Sequence, residues 1–336
     1  MASNSSRATF LTSSSAAFAS IGFISAPAKA ADFTGKAGTN QAVDHPLSVA
    51  MKEMWDAIRT ESGGRVDVSV FPNNQLGGDT AMLTQLRSGA LQCMTLDGAI
   101  MQSVVDVAGI AGTGFAFKDS ANALEAFDGK LGAYVRGEIL KASIYAFEII
   151  WENGMRNVTS STHPIRNADD FAAFRIRTPP GKLYIDLFKA LGASPTPINF
   201  SEVYSALQTR IVDGQENPLV NIEFARMFEV QKYLSLTAHM WSAYWLIANI
   251  DFWTALPPDL KTIVSRNART YGLKMRKEVM AGNDGLVGKL RSQGMEVNVP
   301  DRLSMRAKLG DFYKNCKAEF GTTAWALLES YCGKLG

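Results

Sequence analysis

The sequence predicts an α/β protein of two domains with a ligand cleft, and three observations carry that prediction. At 336 residues the chain is longer than one typical core, so two domains are expected. Strand-like alternation and helical periodicity take turns along it, as they do in βαβ units built on a parallel sheet. Between Arg175 and Pro218, strand arginines, proline and glycine breaks and a dense polar turn follow one another closely. Open α/β sheets form ligand clefts where such groups gather at strand ends.

Composition excludes several classes. Hydrophobic residues make up 46% and charged residues 20%, the balance of an ordinary globular chain. A net charge of +2 gives no reason to expect a nucleic-acid partner. His45, His163 and His239 are far apart in the chain, so no histidine metal site is expected, and no cofactor motif is found.

The elements follow in order. Residues 1–30 hold Arg7, a short apolar run from Ala16 to Ile24 and an A-x-A pattern, Ala28-Lys29-Ala30, before Ala31. That is the pattern of an export signal, cleaved to leave a soluble mature protein. No later segment has the roughly 18 apolar residues a membrane span needs. Ala31–Ala37 reads as a strand, and Leu47, Met51, Met54, Trp55 and Ile58 recur at helical spacing. Val66, Val68 and Val70 alternate as a second strand; a helix with Met82, Leu83 and Leu86 leads to a third at Leu91–Leu96. The glycine-rich segment from Asp106 to Phe117 lacks the register of a phosphate-binding loop. Helices near Ser120–Phe127 and Leu131–Leu140 precede a strand from Ile144 to Trp151, and Asn153–Arg156 marks a first crossing between domains.

The central stretch opens on a strand, Phe174–Thr178, ended by Pro179-Pro180-Gly181 because proline removes backbone donors. A helix with Leu183, Leu187, Phe188 and Leu191 on one face stops at Gly192. Ser201 is placed to cap a second helix carrying Val203, Leu207 and Ile211. Trp241–Ile250 suits a buried strand returning to the first domain, followed by a long helix from Asp259 to about Gly282. The tail adds a strand near Met295–Val299 and helices near Leu303–Phe320 and Thr323–Cys332. Cys93 reads as a buried thiol; an oxidising compartment would let Cys316 and Cys332 pair.

Arg177 is the leading candidate for function. A strand arginine at a cleft offers a planar fork that holds a carboxylate through two parallel hydrogen bonds. The alternative is an ion pair with Glu216 or Asp213 that closes the domain. Arg175 shares its face by alternation and reads as a surface charge. Trp241, Tyr244 and Trp245 add aromatic surface near the second crossing, against which an aromatic or sugar-derived acid would stack.

Three blocks carry a resemblance: Leu191-Gly192-Ala193-Ser194-Pro195-Thr196-Pro197, then Phe200 to Gln208, then Val212-Asp213-Gly214-Gln215-Glu216-Asn217-Pro218. With Phe71 to Asp79 and Gln85 to Gly89, they resemble the solute-binding proteins of the tripartite ATP-independent periplasmic (TRAP) transporters, over residues 31 to about 320. The resemblance implies a two-domain periplasmic-binding-protein fold with a central cleft, crossing strands and a long helix bracing both domains. The division expected is 31–154 plus about 243–282 for domain I, and 155–242 plus about 283–336 for domain II.

By the same resemblance Arg177 is the carboxylate clamp, with Arg156 and Asn217 on the same carboxylate and Phe200 packed on the ligand. Asn40, Asp79 and Asp97 match polar positions of the sialic-acid-binding members. Asp97 stands in place of a glutamate, and Ile100 where those members carry an arginine. The implied partners are a small-molecule carboxylate and a sodium-driven membrane permease pair. A periplasmic monomer with no cofactor and no catalytic activity is expected. Two other readings remain: a ligand sensor for a membrane kinase, and a hydrolase or lyase using Asp213, Glu216 and Tyr204 as acid–base groups.

Overall fold

A computed structural model of the chain describes Met1 and residues 31–336; the expected export signal lies outside the described residues. Three strands, β1 (Phe33–Gly38), β2 (Val66–Phe71) and β3 (Cys93–Asp97), run parallel with β1 between the other two. Their crossovers are α1 (Pro46–Glu61) and α2 (Asp79–Arg87). Helix α1 buries Leu47, Met51, Met54, Trp55 and Ile58, the stripe that its spacing predicts. After β3 come α3 (Gly98–Met101) and a buried 3-10 turn, Asp106–Gly112, which uses the glycine-rich segment for core packing. Helices α4 (Ser120–Asp128) and α5 (Lys130–Lys141) follow.

The next strand, β4 (Ile144–Ser160), is twice as long as the sequence suggests. The Asn153–Arg156 segment does not end it, because Gly154 at φ +116 absorbs a bulge and pairing then resumes. Beyond it lie β5 (Arg175–Thr178), α6 (Lys182–Ala190), β6 (Ser194–Pro197), α7 (Val203–Gln208), β7 (Gly214–Pro218) and α8 (Leu219–Phe224). Helix α7 is shorter than expected, Glu202 and not Ser201 precedes it, and Ile211 is exposed. A second long strand, β8 (Tyr233–Asn249), pairs antiparallel with β4.

These two 17-residue strands, each about 55 Å long, organise the sheet. At one end β8 pairs with β3 through Asp97↔Tyr244 to Cys93↔Ala248. At the other, Arg156–Ser160 of β4 pair with β7, which pairs with β5 and then β6. The short α9 (Ile250–Ala255) leads to α10 (Pro258–Ser292), a 35-residue helix. Leu260, Val264, Met275 and Val279 of α10 pack in the α1 core, whereas Leu290 packs with Val203, Leu207 and Met295. Anchorage of Leu290 carries the helix past Gly282, Gly285 and Gly288, each about 1 kcal/mol unfavourable against alanine.

The chain ends in β9 (Glu296–Asn298), which pairs with β8, then α11 (Arg302–Ala307), α12 (Phe312–Phe320) and α13 (Thr322–Cys332). Cys316 and Cys332 are separate thiols, one buried in α12 and the other at the end of α13. Burial pushes the Cys316 thiol up to about 12 and the Cys332 thiol to about 11, so both stay protonated. The pairing that an oxidising compartment would allow is not formed in this structure. No helix among the described residues is long and apolar enough to cross a membrane.

Where β4 and β8 are irregular, Glu152 is fully buried and accepts hydrogen bonds from Ser120 Oγ at 2.8 Å and Trp241 Nε1 at 3.1 Å. Burial raises its carboxyl from 4.5 to about 7, against the pull of those two donors and of Arg276. Between these values the folded chain keeps a proton that the unfolded chain has released, so stability falls as pH rises through the window. Glu152→Gln accepts the same hydrogen bonds without charge. It is expected to gain on the order of 3 kcal/mol over the wild type at pH 8 and little at pH 4.5, measured by thermal unfolding. An equal effect at both pH values contradicts the assignment.

Candidate functional site

A narrow cavity, with about 20 Å³ of room for a water-sized group, lies between the two ends of the sheet. It brings together seven of the eight residues singled out from the sequence: Asn40, Asp79, Asp97, Arg156, Arg177, Phe200 and Asn217. Ile100, Pro179, Tyr184 and Tyr244 complete the lining. Trp241 is not among them. Side chains alternate along β8, so Ser242 and Tyr244 turn to the cavity while Trp241 turns away. Its ring packs on Phe117 at 6.0 Å and Phe127 at 5.3 Å, and its Nε1–H is donated to Glu152.

The two arginines of the cavity are held differently. Arg156, on β4, forms a two-pronged pair with Glu216 of β7: Nε donates to Oε2 at 2.5 Å and Nη2 to Oε1 at 2.7 Å. Its Nη2 also reaches the Glu216 carbonyl and Asn217 Oδ1, and Nη1 donates to Ser242 Oγ at 3.2 Å. Tyr184 lies under this guanidinium, 4.8 Å from ring centroid to Cζ. Burial disfavours the Arg156 charge, but the adjacent Glu216 carboxylate more than restores it. Burial likewise works against ionised Glu216; Arg156 prevails and holds that carboxyl below its usual range. His239 Nε2 lies 3.1 Å from Glu216 Oε2, and burial keeps this imidazole neutral.

Arg177 has no carboxylate partner. Its Nε and Nη2 donate to the Ile198 carbonyl at 2.9 and 2.6 Å, and Phe200 lies 5.9 Å from its Cζ. Its Nη1 is buried and has no hydrogen-bond partner among the described residues. Burial lowers this guanidinium to about 10, with Arg156 adding to the effect and Glu216 and Asp79 opposing it. Neither ion pair weighed for Arg177 forms: Asp213 binds the half-exposed Arg175, at 2.6 Å, and Glu216 binds Arg156. A desolvated fork with a free nitrogen is the arrangement that binds an incoming anion.

The facing wall is acidic and polar. Asp79 opens α2 and accepts one hydrogen bond, from Asn40 Nδ2 at 3.0 Å, while its Oδ1 has no partner among the described residues. Burial raises this carboxyl to about 6. Asp97 is engaged on both oxygens, by Ala99 N at 2.8 Å and Ser242 Oγ at 2.8 Å. Asn217 Oδ1 also accepts from Asn221 Nδ2 at 3.3 Å, and Asn221 Oδ1 lies 3.2 Å from His45 Nε2. Tyr184 is the lining residue that the sequence reading missed. The stripe of Leu183, Leu187, Phe188 and Leu191 was legible, and Tyr184 falls within the same arc of α6 and is buried with it.

The proposed acid–base trio does not assemble. Asp213 is committed to Arg175, Glu216 to Arg156, and Tyr204 is half-buried and donates to Glu229. Among the described residues no three His, Cys, Asp or Glu side chains are grouped as a metal site. The fold and cavity therefore define a receptor class: α/β proteins that enclose a small anion between two ends of one sheet.

The chain belongs to the DctP family, bacterial extracellular solute-binding protein family 7, whose sequence model matches residues 37–319. Its members here are TRAP solute receptors and not enzymes. The 2,3-diketo-L-gulonate-binding periplasmic protein YiaO of Escherichia coli is 32% identical over 268 residues, covering 78% of this chain and 80% of the relative. The sialic acid-binding periplasmic protein SiaP of Vibrio cholerae is 32% identical over 288 residues, covering 86% and 89%. The sugar acid binding protein DctPAm of Advenella mimigardefordensis, solved with galactonate, matches with a TM-score of 0.86 at 27% identity, over 90% of this chain and 98% of that one.

Proposed function

We propose that this protein captures a sugar-derived monocarboxylate in the periplasm, as a monomer, and delivers it to the membrane permease subunits of a TRAP transporter. The observation that carries the reading is the buried Arg177 with its unpartnered Nη1. The ligand carboxylate sits on that nitrogen, with Asn217 and Arg156 beside it and Phe200 covering the guanidinium. Asn40, Asp79 and Asp97 meet the hydroxyls at the other end. Three polar side chains on that wall, together with Trp241 turned away, favour a hydroxylated tail over an aromatic ring. The acids in the names of the three relatives are sugar-derived too.

Ligand binding closes the cleft because only the closed form lets both walls touch the ligand. The parts we infer to move are 31–154 with about 243–282, against 155–242 with about 283–311. Helices α12 and α13 are assigned to the first group: Tyr331 of α13 accepts hydrogen bonds from Asn122 and Lys130 of α4 and α5. The bulge at Glu152–Gly154 is the hinge.

Gly181, before α6, provides one test of closure. A Cβ there would lie 2.6 Å from the carbonyl oxygen of Ala99, in α3 on the other wall. Gly181→Ala is therefore expected to prop the cleft and weaken binding at least tenfold, about 1.4 kcal/mol, with unfolding temperature unchanged in the absence of ligand. Unchanged affinity contradicts closure at this contact.

The function itself is tested by thermal-shift screening against D-galactonate, 2,3-diketo-L-gulonate, sialic acid, succinate, benzoate and neutral polyols of the same length. A binder at 100 times its Kd adds about 2.7 kcal/mol of stability. A shift by one or more sugar acids is expected; a shift by neutral polyols alone overturns the reading.

A further inference from the structure

The cavity carries an excess of negative charge for a site that receives an anion. Two guanidiniums, Arg156 and Arg177, face three carboxylates, Asp79, Asp97 and Glu216, and all five side chains are buried. Glu216 neutralises Arg156 directly, so the remaining balance is one free cation against two acids. An arriving carboxylate takes up the Arg177 charge. Asp79 then faces Asp97 in a dry cavity with Arg177 already taken, a repulsion that water no longer screens once the cleft has closed.

We propose that the protein takes up one proton together with its anionic ligand, and that the proton resides on Asp79. The inference rests on the reading of the site as a carboxylate receptor. Geometry selects Asp79 over its neighbours. Burial raises the Asp97 carboxyl too, but Arg156 opposes that rise and both Asp97 oxygens are occupied by donors, which leaves no free oxygen to carry a proton. Glu216 is fixed by the two prongs of Arg156. Asp79 has a single donor, Asn40, and a buried Oδ1 that accepts nothing among the described residues. That oxygen is where a proton can sit and from which a hydroxyl or carboxylate oxygen of the ligand can be donated a hydrogen bond.

The groups facing Asp79 are Asn40 after β1, Asp97 on β3, Arg156 on β4, Arg177 on β5, Tyr184 on α6 and Tyr244 on β8. Both tyrosines are pushed upward by burial and remain neutral. In the free protein burial already brings Asp79 to about 6. A bound anion displaces it further in the same direction, because Arg177 no longer offsets it. Below about pH 6 Asp79 is protonated before binding, and affinity is flat. Above that value binding consumes a proton, so Kd rises with pH, by up to about tenfold per unit. In the sign of linkage, the complex holds more protons than the free protein, and alkali favours release.

The test is isothermal titration of the protein with D-galactonate, 2,3-diketo-L-gulonate and sialic acid at pH 5.5 to 8.5, in buffers of different ionisation enthalpy. Uptake approaching one proton near pH 7.5 is expected, with Kd at least tenfold weaker at pH 8 than at pH 6. Asp79→Asn should bind without proton uptake and with a pH-independent Kd. Binding of any of these acids with flat Kd and no uptake overturns the inference while leaving the receptor reading intact. Uptake that persists in Asp79→Asn overturns the assignment to Asp79. Should that variant fail to fold, Asp79→Ser replaces it, with the same expected loss of proton uptake and the same overturning result. Failure of all three acids to bind at every pH overturns the receptor reading for sugar acids, and this inference with it.

Discussion

Arg177→Ala is expected to lose roughly 2–5 kcal/mol of ligand binding, about thirtyfold to several-thousandfold in Kd, while the unliganded fold is nearly unaffected. The reasoning starts from what Arg177 does without a ligand. It is a buried cation whose hydrogen bonds go to one carbonyl, Ile198 O, and its charge is opposed by burial. Removing it relieves that desolvation and leaves one carbonyl less well satisfied, two effects that offset each other in the free protein. In the complex it removes the partner of a buried carboxylate. Binding measured by calorimetry, beside denaturant unfolding of the free variant, separates the two. Affinity within threefold of wild type excludes Arg177 as the anchor.

Arg156→Ala is expected to behave differently, with about 3–5 kcal/mol lost from stability before any ligand is added. The same substitution that strips one cation from the cavity leaves Glu216 fully buried, with His239 as its remaining side-chain partner. Five hydrogen bonds made by Arg156 vanish together, including those to Ser242 and Asn217 that position two neighbouring cavity groups. Replacing both partners, as in Arg156→Met with Glu216→Leu, should recover part of the stability because no charge is then stranded. It should not recover binding. A single variant as stable as wild type shows that the pair contributes nothing net.

Much of this arrangement was legible in the sequence, and the failures have physical causes. Alternation at Val66, Val68 and Val70, and helical spacing in α1 and α6, located elements because each buries one face. The motif around Arg177 and Asn217 was readable because the chemistry resides in local runs. Pairing between distant side chains was not. Which carboxylate meets which arginine depends on β4 lying beside β7 in register, with Arg156 opposite Pro218. Trp241 was misplaced for a similar reason: the face a β8 residue takes depends on where its irregularities with β4 fall. The ends of β4 and α10 were misread because glycine weakens an element locally, whereas long-range pairing and the anchoring of Leu290 sustain both.

The central claim is that the ligand's carboxylate rests on Arg177. A crystal structure with the tightest-binding acid of the screen tests it most directly. The account predicts a carboxylate oxygen about 2.7–2.9 Å from Arg177 Nη1, the range of a charge-assisted hydrogen bond. The hydroxylated end should lie against Asp79 and Asn40. A ligand bound in the cavity with its carboxylate on the Asp79 side, or with Arg177 still held by Ile198 alone, contradicts it.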